Sequence, residues 1–282
     1  MTPPDLSTVQ DLSSLDGRLR CPNCTGDLDS TGEGLRCDGC EAFYPFRRGI
    51  PLLAIHGTTE TWTGDMLPET SAAYQEEYEE LSEARRYNEE YRDQVTKRWS
   101  TRREFQLLDG LLSSQPRSEL LLDLPCGGGR LSDRLAPFTE RLVEADIAFG
   151  QLRYALEHHE GTDARIWMSA SAFHIPFHDA SVDGVVCCRL SHHLPTPEER
   201  ERLVRELLRV AERFVIMTFF DYHSVKNYIR RARRPFNGKP PKMTMTVERV
   251  RELAEEGGAR LVAAPPLSRL FSGHRYALLE KR

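Results

Sequence analysis

Four cysteines in the first forty residues have the spacing of a metal site. Cys21 and Cys24 form one CxxC pair, and Cys37 and Cys40 form a second pair after twelve intervening residues. Two such pairs place four thiolates at the corners of a tetrahedron, which is the coordination of structural zinc. Because no coordination position is left open, the sequence predicts a zinc ion that stabilises the fold and takes no part in catalysis.

A second group of residues has the spacing of a ligand site. Asp123 ends an apolar run, the consecutive glycines Gly127–Gly129 follow it, and Asp146 comes seventeen residues after Gly129. Glycines allow a ligand close to the backbone, and a carboxylate beside such a turn accepts the hydroxyls of a ribose. Asp123 would repel the pyrophosphate of a dinucleotide but suits an amino-acid ligand with an ammonium group. This pattern favours S-adenosylmethionine over a nicotinamide dinucleotide.

The elements around this turn alternate between strands and helices, as in a doubly wound α/β sheet. A helix between the fourth and fifth strands is predicted to begin with Thr196 as its N-cap, where Glu199 completes a capping box and Pro197 suits the first turn. Another helix spans Val247 to Glu256 and stops at two glycines. Five strands are predicted before a final antiparallel pair: Leu120–Leu124, Arg141–Ala145, Arg165–Met168, Gly184–Arg189 and Phe214–Phe220, then Leu261–Ala264 and His274–Leu279.

Three stretches in this region, LLLDLPCGGGR, VEADIAFGQLRYA and SASAFHIPFHDASVDGVVCCRLSHHLP, resemble successive motifs of class I S-adenosylmethionine-dependent methyltransferases of type 11. The resemblance implies a seven-stranded Rossmann-like sheet. It places Asp123 near the methionine ammonium, Asp146 on the ribose and Ile147 on the adenine. The other cofactor-binding positions that it implies are Cys126, Gly127, Gly129, Ser171, Ala172 and Cys188.

The chain departs from the family pattern inside this site. Pro125 stands at the first glycine of the loop and removes a backbone N–H. Ser171 replaces the usual aspartate at the adenine edge, so that contact is expected to be weaker. Methyl transfer is an in-line displacement, and a base is needed only if the acceptor must lose a proton. The predicted catalytic residues are His193, His223 and Arg189, although the His192-His193 pair also suits a packing role.

The cysteine-rich segment has a resemblance of its own. The CxxC pairs are followed by Phe43–Leu53, with the order YP, GIP and LL. Over residues 17–54 this resembles the small zinc-ribbon activator subunit of translation-linked methyltransferases. The resemblance implies structural zinc and a protein partner for the ribbon. The stretch HHLPTPEER is also similar to tRNA wobble-uridine carboxyl methyltransferases.

These signals divide the chain into four segments. We expect a disordered N-terminus over 1–16, the zinc ribbon over 17–54, a linker and N-terminal lid helices over 55–118, and the methyltransferase domain over 119–282. Within the third segment, one helix is predicted over 71–100 and a second over 101–112. The tyrosines of the first helix (Tyr74, Tyr78, Tyr87 and Tyr91) either cover a ligand or pack that helix onto the domain. A basic insertion over 222–245 follows the fifth strand.

Composition limits the function classes. The net charge of −5 argues against a protein that coats nucleic acid, and no apolar run is long enough for a membrane span. An odd number of cysteines and the absence of an apolar signal core favour the cytoplasm. The basic insertion holds seven cations and no acid between residues 222 and 242. It either binds an anionic acceptor, or pairs with the acidic segment over 65–93, or forms a solvated face.

Three functions remain open on the sequence alone. The first is methylation of an anionic small molecule or lipid-like acceptor. The second is RNA methylation assisted by the fused ribbon, with the basic insertion on the phosphates. The third, from another class, is a cofactor-binding scaffold without turnover.

Overall fold

A computed structural model describes residues 10–54, 69–93, 95–159, 164–237 and 242–282. These residues form a four-stranded sheet near the N-terminus and a seven-stranded sheet after residue 117. No helix among the described residues has the length and apolar character needed to cross a membrane.

The large sheet has the order β10-β11-β9-β8-β5-β6-β7, with β11 antiparallel to both of its neighbours and the other pairs parallel. This confirms the predicted doubly wound, seven-stranded class. The central strands are buried along nearly their whole length because helices cover both faces. The seven strands are β5 (Ser118–Asp123), β6 (Thr139–Asp146), β7 (Arg165–Ser169), β8 (Val182–Cys187), β9 (Ala211–Phe220), β10 (Ala259–Ala263) and β11 (His274–Lys281).

Eight α-helices accompany the strands in the part of the chain that the structure describes. Thr196 accepts a hydrogen bond from the Glu199 N–H, and the Glu199 carboxylate accepts one from the Thr196 N–H, as the predicted capping box requires. The helices are α1 (Glu69–Glu77), α2 (Leu81–Asp93), α3 (Val95–Leu112), α4 (Ser132–Leu135), α5 (Phe149–His158), α6 (Pro197–Val210), α7 (Val225–Asn237) and α8 (Val247–Glu256).

The N-terminal helices differ from the prediction. A single helix was expected over 71–100 and a second over 101–112, but the first is interrupted at residues 78–80 and α3 runs through Thr101 without a break. The interruption has a packing cause. An added Cβ on Gly150 of α5 would lie 2.4 Å from the Tyr78 carbonyl oxygen, so the chain turns directly against α5.

The small sheet is continuous in its packing with the large one. Its strands run in the order β1 (Leu28–Ser30), β2 (Gly34–Cys37), β3 (Phe43–Arg47) and β4 (Ile50–Pro51). Just beyond β4, the Leu53 N–H donates to the Ser169 carbonyl at 2.9 Å, and Leu52 bridges Ser169 in parallel. The ribbon segment therefore covers β7, which is the edge of the large sheet.

Residues 10–16, expected to be disordered, are ordered in the structure, and this part of the prediction is wrong. Leu12 and Leu15 are buried in the core that the ribbon and the large sheet share. The Gln10 amide imitates a strand, because its oxygen accepts from the Trp167 N–H at 2.7 Å and its nitrogen donates to the Trp167 carbonyl at 3.0 Å. Residues 1–9 and the predicted linker over 55–68 lie outside the described residues.

Candidate active site and cysteine centre

The glycine turn is tied to the end of β6 by Asp146. Gly127 and Gly129 have φ angles of +55° and +77°, which side chains rarely tolerate. The buried Asp146 carboxylate accepts hydrogen bonds from the Gly127 and Ala148 N–H groups, both at 2.9 Å. Burial raises the pKa of Asp146 to about 6, and these N–H donors oppose the rise. The carboxylate is thus mainly ionised at neutral pH.

A cavity of about 850 Å³ opens at the carboxyl ends of the parallel strands, beside this turn. It falls within the size range of small-molecule sites, which is roughly 300–1,000 Å³. Nine of the predicted site residues line it: Cys126, Gly127, Asp146, Ile147, Ser171, Ala172, Cys188, Arg189 and His193. Asp123, Gly129 and His223 are not among the lining residues.

Asp123 lies under the turn, fully buried. Neither of its carboxylate oxygens has a hydrogen-bond partner in the described part of the chain. Burial, together with Glu144 and Asp146, raises the pKa of Asp123 well above its usual range, although Arg130 opposes the rise. A buried polar group without a partner is costly. A ligand ammonium group, reached directly or through a water, fits this unpaired carboxylate.

The helices before the sheet form one wall of the cavity. Tyr74, Tyr78 and Tyr87 line it, with ring centroids 4.8 Å apart for the first pair and 5.2 Å apart for Tyr78 and Tyr87. Asn88 of α2 lies so close to the turn that a Cβ on Gly128 would meet its side chain at 2.4 Å. The arrangement agrees with the lid interpretation of these tyrosines; the Tyr91 side chain lies outside the described ones.

Arg189, which also lines the cavity, belongs to a charged cluster that was not predicted from the sequence. Glu104 of α3 is fully buried and binds Arg130 and Arg189, each at 2.8 Å, and it also accepts from the Tyr276 hydroxyl. Two guanidinium groups and one carboxylate leave this cluster with one net positive charge. Arg189 itself has a φ of +65°, a strained conformation that holds its backbone at the cavity wall.

Burial raises the pKa of Glu104, but Arg130 and Arg189 outweigh it and bring the pKa to about 2. A signal for this residue was present in the sequence. Glu104 shares the helix face of the buried Leu108 and Leu111, so an acid stands on an otherwise apolar stripe.

We expect Glu104→Gln to lower the free energy of unfolding by about 3 kcal/mol at pH 7, because it leaves two arginines without their buried partner. The folded-state pKa is depressed from 4.5, so this contribution is present above pH 4.5 and is lost as the pH falls towards 2. Urea unfolding of wild type and variant at pH 7 and pH 3 measures it. Glu119→Gln is the control, because Glu119 forms an exposed ion pair with Arg18. Equal losses of unfolding free energy for the two substitutions would contradict the assignment of Glu104 as the buried partner of the two arginines.

Three histidines and an aromatic ring form a cluster beside Arg189. His192 lies 4.3 Å from His193, 4.5 Å from Phe220 and 5.2 Å from His274, measured between ring centroids. Burial is the main cause of a lowered pKa at all three histidines. The pKa of His192 falls to about 2 and that of His274 to about 4, and the pKa of His193 is also lowered. The rings are therefore neutral at pH 7, and burial makes each of them a weaker base than a free imidazole. His223 is exposed and lies away from the lining of the cavity.

The four cysteines of the ribbon converge. Their sulfur atoms all lie within 4.8 Å of one another. The Gly39 N–H donates to the Cys37 Sγ at 3.3 Å, and a Cβ on Gly39 would lie 3.2 Å from the Cys24 Sγ. Four converging sulfurs with a backbone donor suit a closed tetrahedral metal site.

Comparisons with known proteins identify the large sheet. A family model described as a methyltransferase domain matches residues 122–216. Demethylmenaquinone methyltransferase of Thermobifida fusca is 33% identical over 106 residues, which are 36% of this chain and 44% of that protein. The chain thus spans less than half the length of this curated relative.

Solved structures show the same fold. Magnesium protoporphyrin IX methyltransferase from Synechocystis PCC 6803, with bound SAH (S-adenosylhomocysteine), superposes with a TM-score of 0.62 at 17% identity, covering 75% of this chain and 99% of that chain. Human N-acetylserotonin methyltransferase in complex with SAM (S-adenosylmethionine) superposes with a TM-score of 0.53 at 13% identity, covering 76% of this chain and 60% of that chain. Residues 122–216 thus match a methyltransferase domain, and the sheet that holds them has the fold of the class I S-adenosylmethionine-dependent methyltransferases.

Proposed function

We propose that this chain transfers a methyl group from S-adenosylmethionine to an anionic, lipid-like small molecule, and that a structural zinc ion holds its N-terminal ribbon. The observation that carries the proposal is one cavity that is lined by two chemically different groups of residues. Asp146 and Gly127 of the glycine turn belong to its lining, and so do Arg189 and the neutral histidines His192 and His193. The volume of about 850 Å³ leaves room for a donor and part of an acceptor.

Each of these two groups of lining residues has a distinct task in this proposal. S-adenosylmethionine, when bound, supplies an electrophilic methyl group. Asp146 holds the ribose hydroxyls, Asp123 balances the ammonium group, and Ile147 packs on the adenine. Positioning supplies much of the rate for an in-line displacement, so these contacts matter more than acid–base chemistry.

The group that contains Arg189 and the histidines selects an acceptor by its negative charge. The net positive charge of the Glu104 cluster favours a phosphate, carboxylate or phenolate. His193 is the candidate base, because its neutral imidazole lines the cavity and can take a proton from the acceptor. The curated relative, which is named for methylating demethylmenaquinone, supports an acceptor of the small-molecule class.

The ribbon has an intramolecular role in this proposal. It resembles an activator subunit, and here the partner that it covers is the edge strand of its own chain. None of the seven cysteines is paired in a disulfide, which supports a reducing compartment, and we propose the cytoplasm.

Label transfer from methyl-labelled S-adenosylmethionine into a host-cell extract tests the acceptor class. After separation into lipid, metabolite, protein and RNA fractions, we expect the label in the lipid fraction or among anionic metabolites. Label in RNA would replace this proposal with the RNA alternative. Tight binding of S-adenosylmethionine without label in any fraction would favour a scaffold.

A further inference from the structure

Helix α7 carries its apolar side towards solvent. Val225, Tyr228 and Ile229 are 44%, 66% and 42% exposed, whereas Asn227 is only 5% exposed. The Asn227 side chain donates to the Asp221 carbonyl at 2.7 Å and packs on Gly273. The helix is therefore attached through a polar residue and presents an apolar stripe outwards, the reverse of an ordinary surface helix.

Cations flank this stripe. At 100° per residue, Val225, Tyr228, Ile229 and Ala232 share one side of the helix. Lys226, Arg231 and Arg233 border that side, and Arg230 and Arg234 lie on the opposite side. Arg231 lies 3.9 Å from the centroid of the Tyr222 ring and donates to the Tyr222 carbonyl at 2.7 Å. The basic residues of the helix are Lys226, Arg230, Arg231, Arg233 and Arg234.

A neighbouring loop extends the same surface. Leu270 and Phe271 are 59% and 75% exposed, which makes Phe271 one of the most exposed large apolar side chains in the described part of the chain. Lys226 Nζ donates to the Phe271 carbonyl at 3.0 Å, so the loop and the first turn of α7 are in direct contact. We call α7 and residues 269–271 together the basic apolar surface.

The composition of this surface distinguishes among possible occupants. RNA would use the arginines and stack on Tyr228, but it gains little from the aliphatic Val225, Ile229 and Leu270. A second copy of this chain would bring its own like-charged helix into contact. An anionic bilayer satisfies both features, because the apolar side chains enter the acyl boundary and the cations contact the headgroups.

We propose that the basic apolar surface docks the protein on anionic phospholipid membranes. The surface lies close in the chain to the histidines that line the cavity. Helix α7 begins five residues after Phe220, whose ring is 4.5 Å from His192 at the cavity. Docking would thus bring a membrane-dissolved acceptor next to the active site. The inference goes beyond the proposed methyl transfer, because vesicle binding requires neither donor nor acceptor.

Co-sedimentation with vesicles tests this docking. We expect wild type to bind vesicles of equal parts phosphatidylcholine and phosphatidylglycerol, and to remain in solution with phosphatidylcholine alone. Ile229→Ser combined with Phe271→Ser, and Arg233→Gln combined with Arg234→Gln, should each weaken binding about tenfold or more. Val262→Ser and Arg251→Gln are the controls, since both residues are exposed on other elements.

Several results would overturn the docking proposal. One is failure of the wild type to bind anionic vesicles, and another is equal binding by the Ile229/Phe271 variant and the Val262→Ser control. Salt-dependent binding to total RNA that survives the Ile229/Phe271 change, without vesicle binding, would assign the surface to RNA. A concentration-dependent dimer that Ile229→Ser abolishes would assign it to a second copy.

Discussion

Asp146→Ala is expected to weaken S-adenosylmethionine binding at least about 100-fold, which corresponds to roughly 3 kcal/mol. The substitution removes the proposed ribose acceptor. It also removes the acceptor of the Gly127 and Ala148 N–H groups, so the glycine turn loses its attachment to β6. Titration calorimetry with S-adenosylmethionine and with its demethylated product measures the change.

Asp183→Ala provides a matched control. Asp183 also accepts two backbone hydrogen bonds, from the Glu119 and Leu120 N–H groups at 2.7 and 2.8 Å, but it is not part of the cavity lining. Asp183→Ala should therefore lower the free energy of unfolding without changing the affinity for S-adenosylmethionine. Unchanged affinity in a folded Asp146→Ala protein would show that the donor binds elsewhere.

Removal of the proposed structural zinc is expected to unfold residues 17–54 and to lower the melting temperature of the whole chain by more than about 10 °C. The reason is that structural zinc supplies much of the folding free energy of such a segment. The effect should extend beyond the ribbon. Cys21, Cys37, Leu35 and Tyr44 belong to the same buried cluster as the strands of the large sheet. Circular dichroism melting before and after chelation, together with zinc analysis by mass spectrometry, tests both parts.

Cys37→Ser should reproduce the effect of chelation, whereas Cys187→Ala should retain one zinc ion per chain. Cys187 is a buried cysteine outside the cluster, so it controls for the loss of a core thiol. A melting profile that is the same with and without zinc would contradict a structural metal.

The sheet was predictable because its signals are local and periodic. Helix α8 begins after Thr246 and ends before two glycines, and the structure has the predicted bounds Val247–Glu256. The strands were found within a few residues, since each is an apolar run bounded by turn residues. The turn with Asp123 and Asp146 was found because its glycines and carboxylates lie at fixed distances along the chain.

The parts that sequence reasoning missed depend on distant contacts. The interruption at residues 78–80 exists because that turn packs on Gly150, seventy residues later. Glu104 acquires its role only where α3, the glycine turn and β11 meet. His223 was expected near the acceptor because it follows β9, but the chain turns at Asp221 and leaves the imidazole exposed.

The fused ribbon also has a consequence that its resemblance alone did not imply. An exposed edge strand is a site for unwanted strand pairing. Here Gln10 and Leu53 satisfy backbone groups of β7 at Trp167 and Ser169, so the ribbon segment protects that edge. Loss of the ribbon should therefore promote aggregation of the methyltransferase domain.

A crystal structure of the protein with S-adenosylhomocysteine tests the central claim most directly, which is that this cavity holds the methyl donor. We expect the ribose hydroxyls on the Asp146 carboxylate, the adenine against Ile147 beside Ser171 and Ala172, and the amino group directed towards Asp123. The homocysteine sulfur should point towards Arg189 and His193. A ligand bound outside the cavity, or with its adenine beside Arg189, would show that the cavity does not hold the methyl donor in this way.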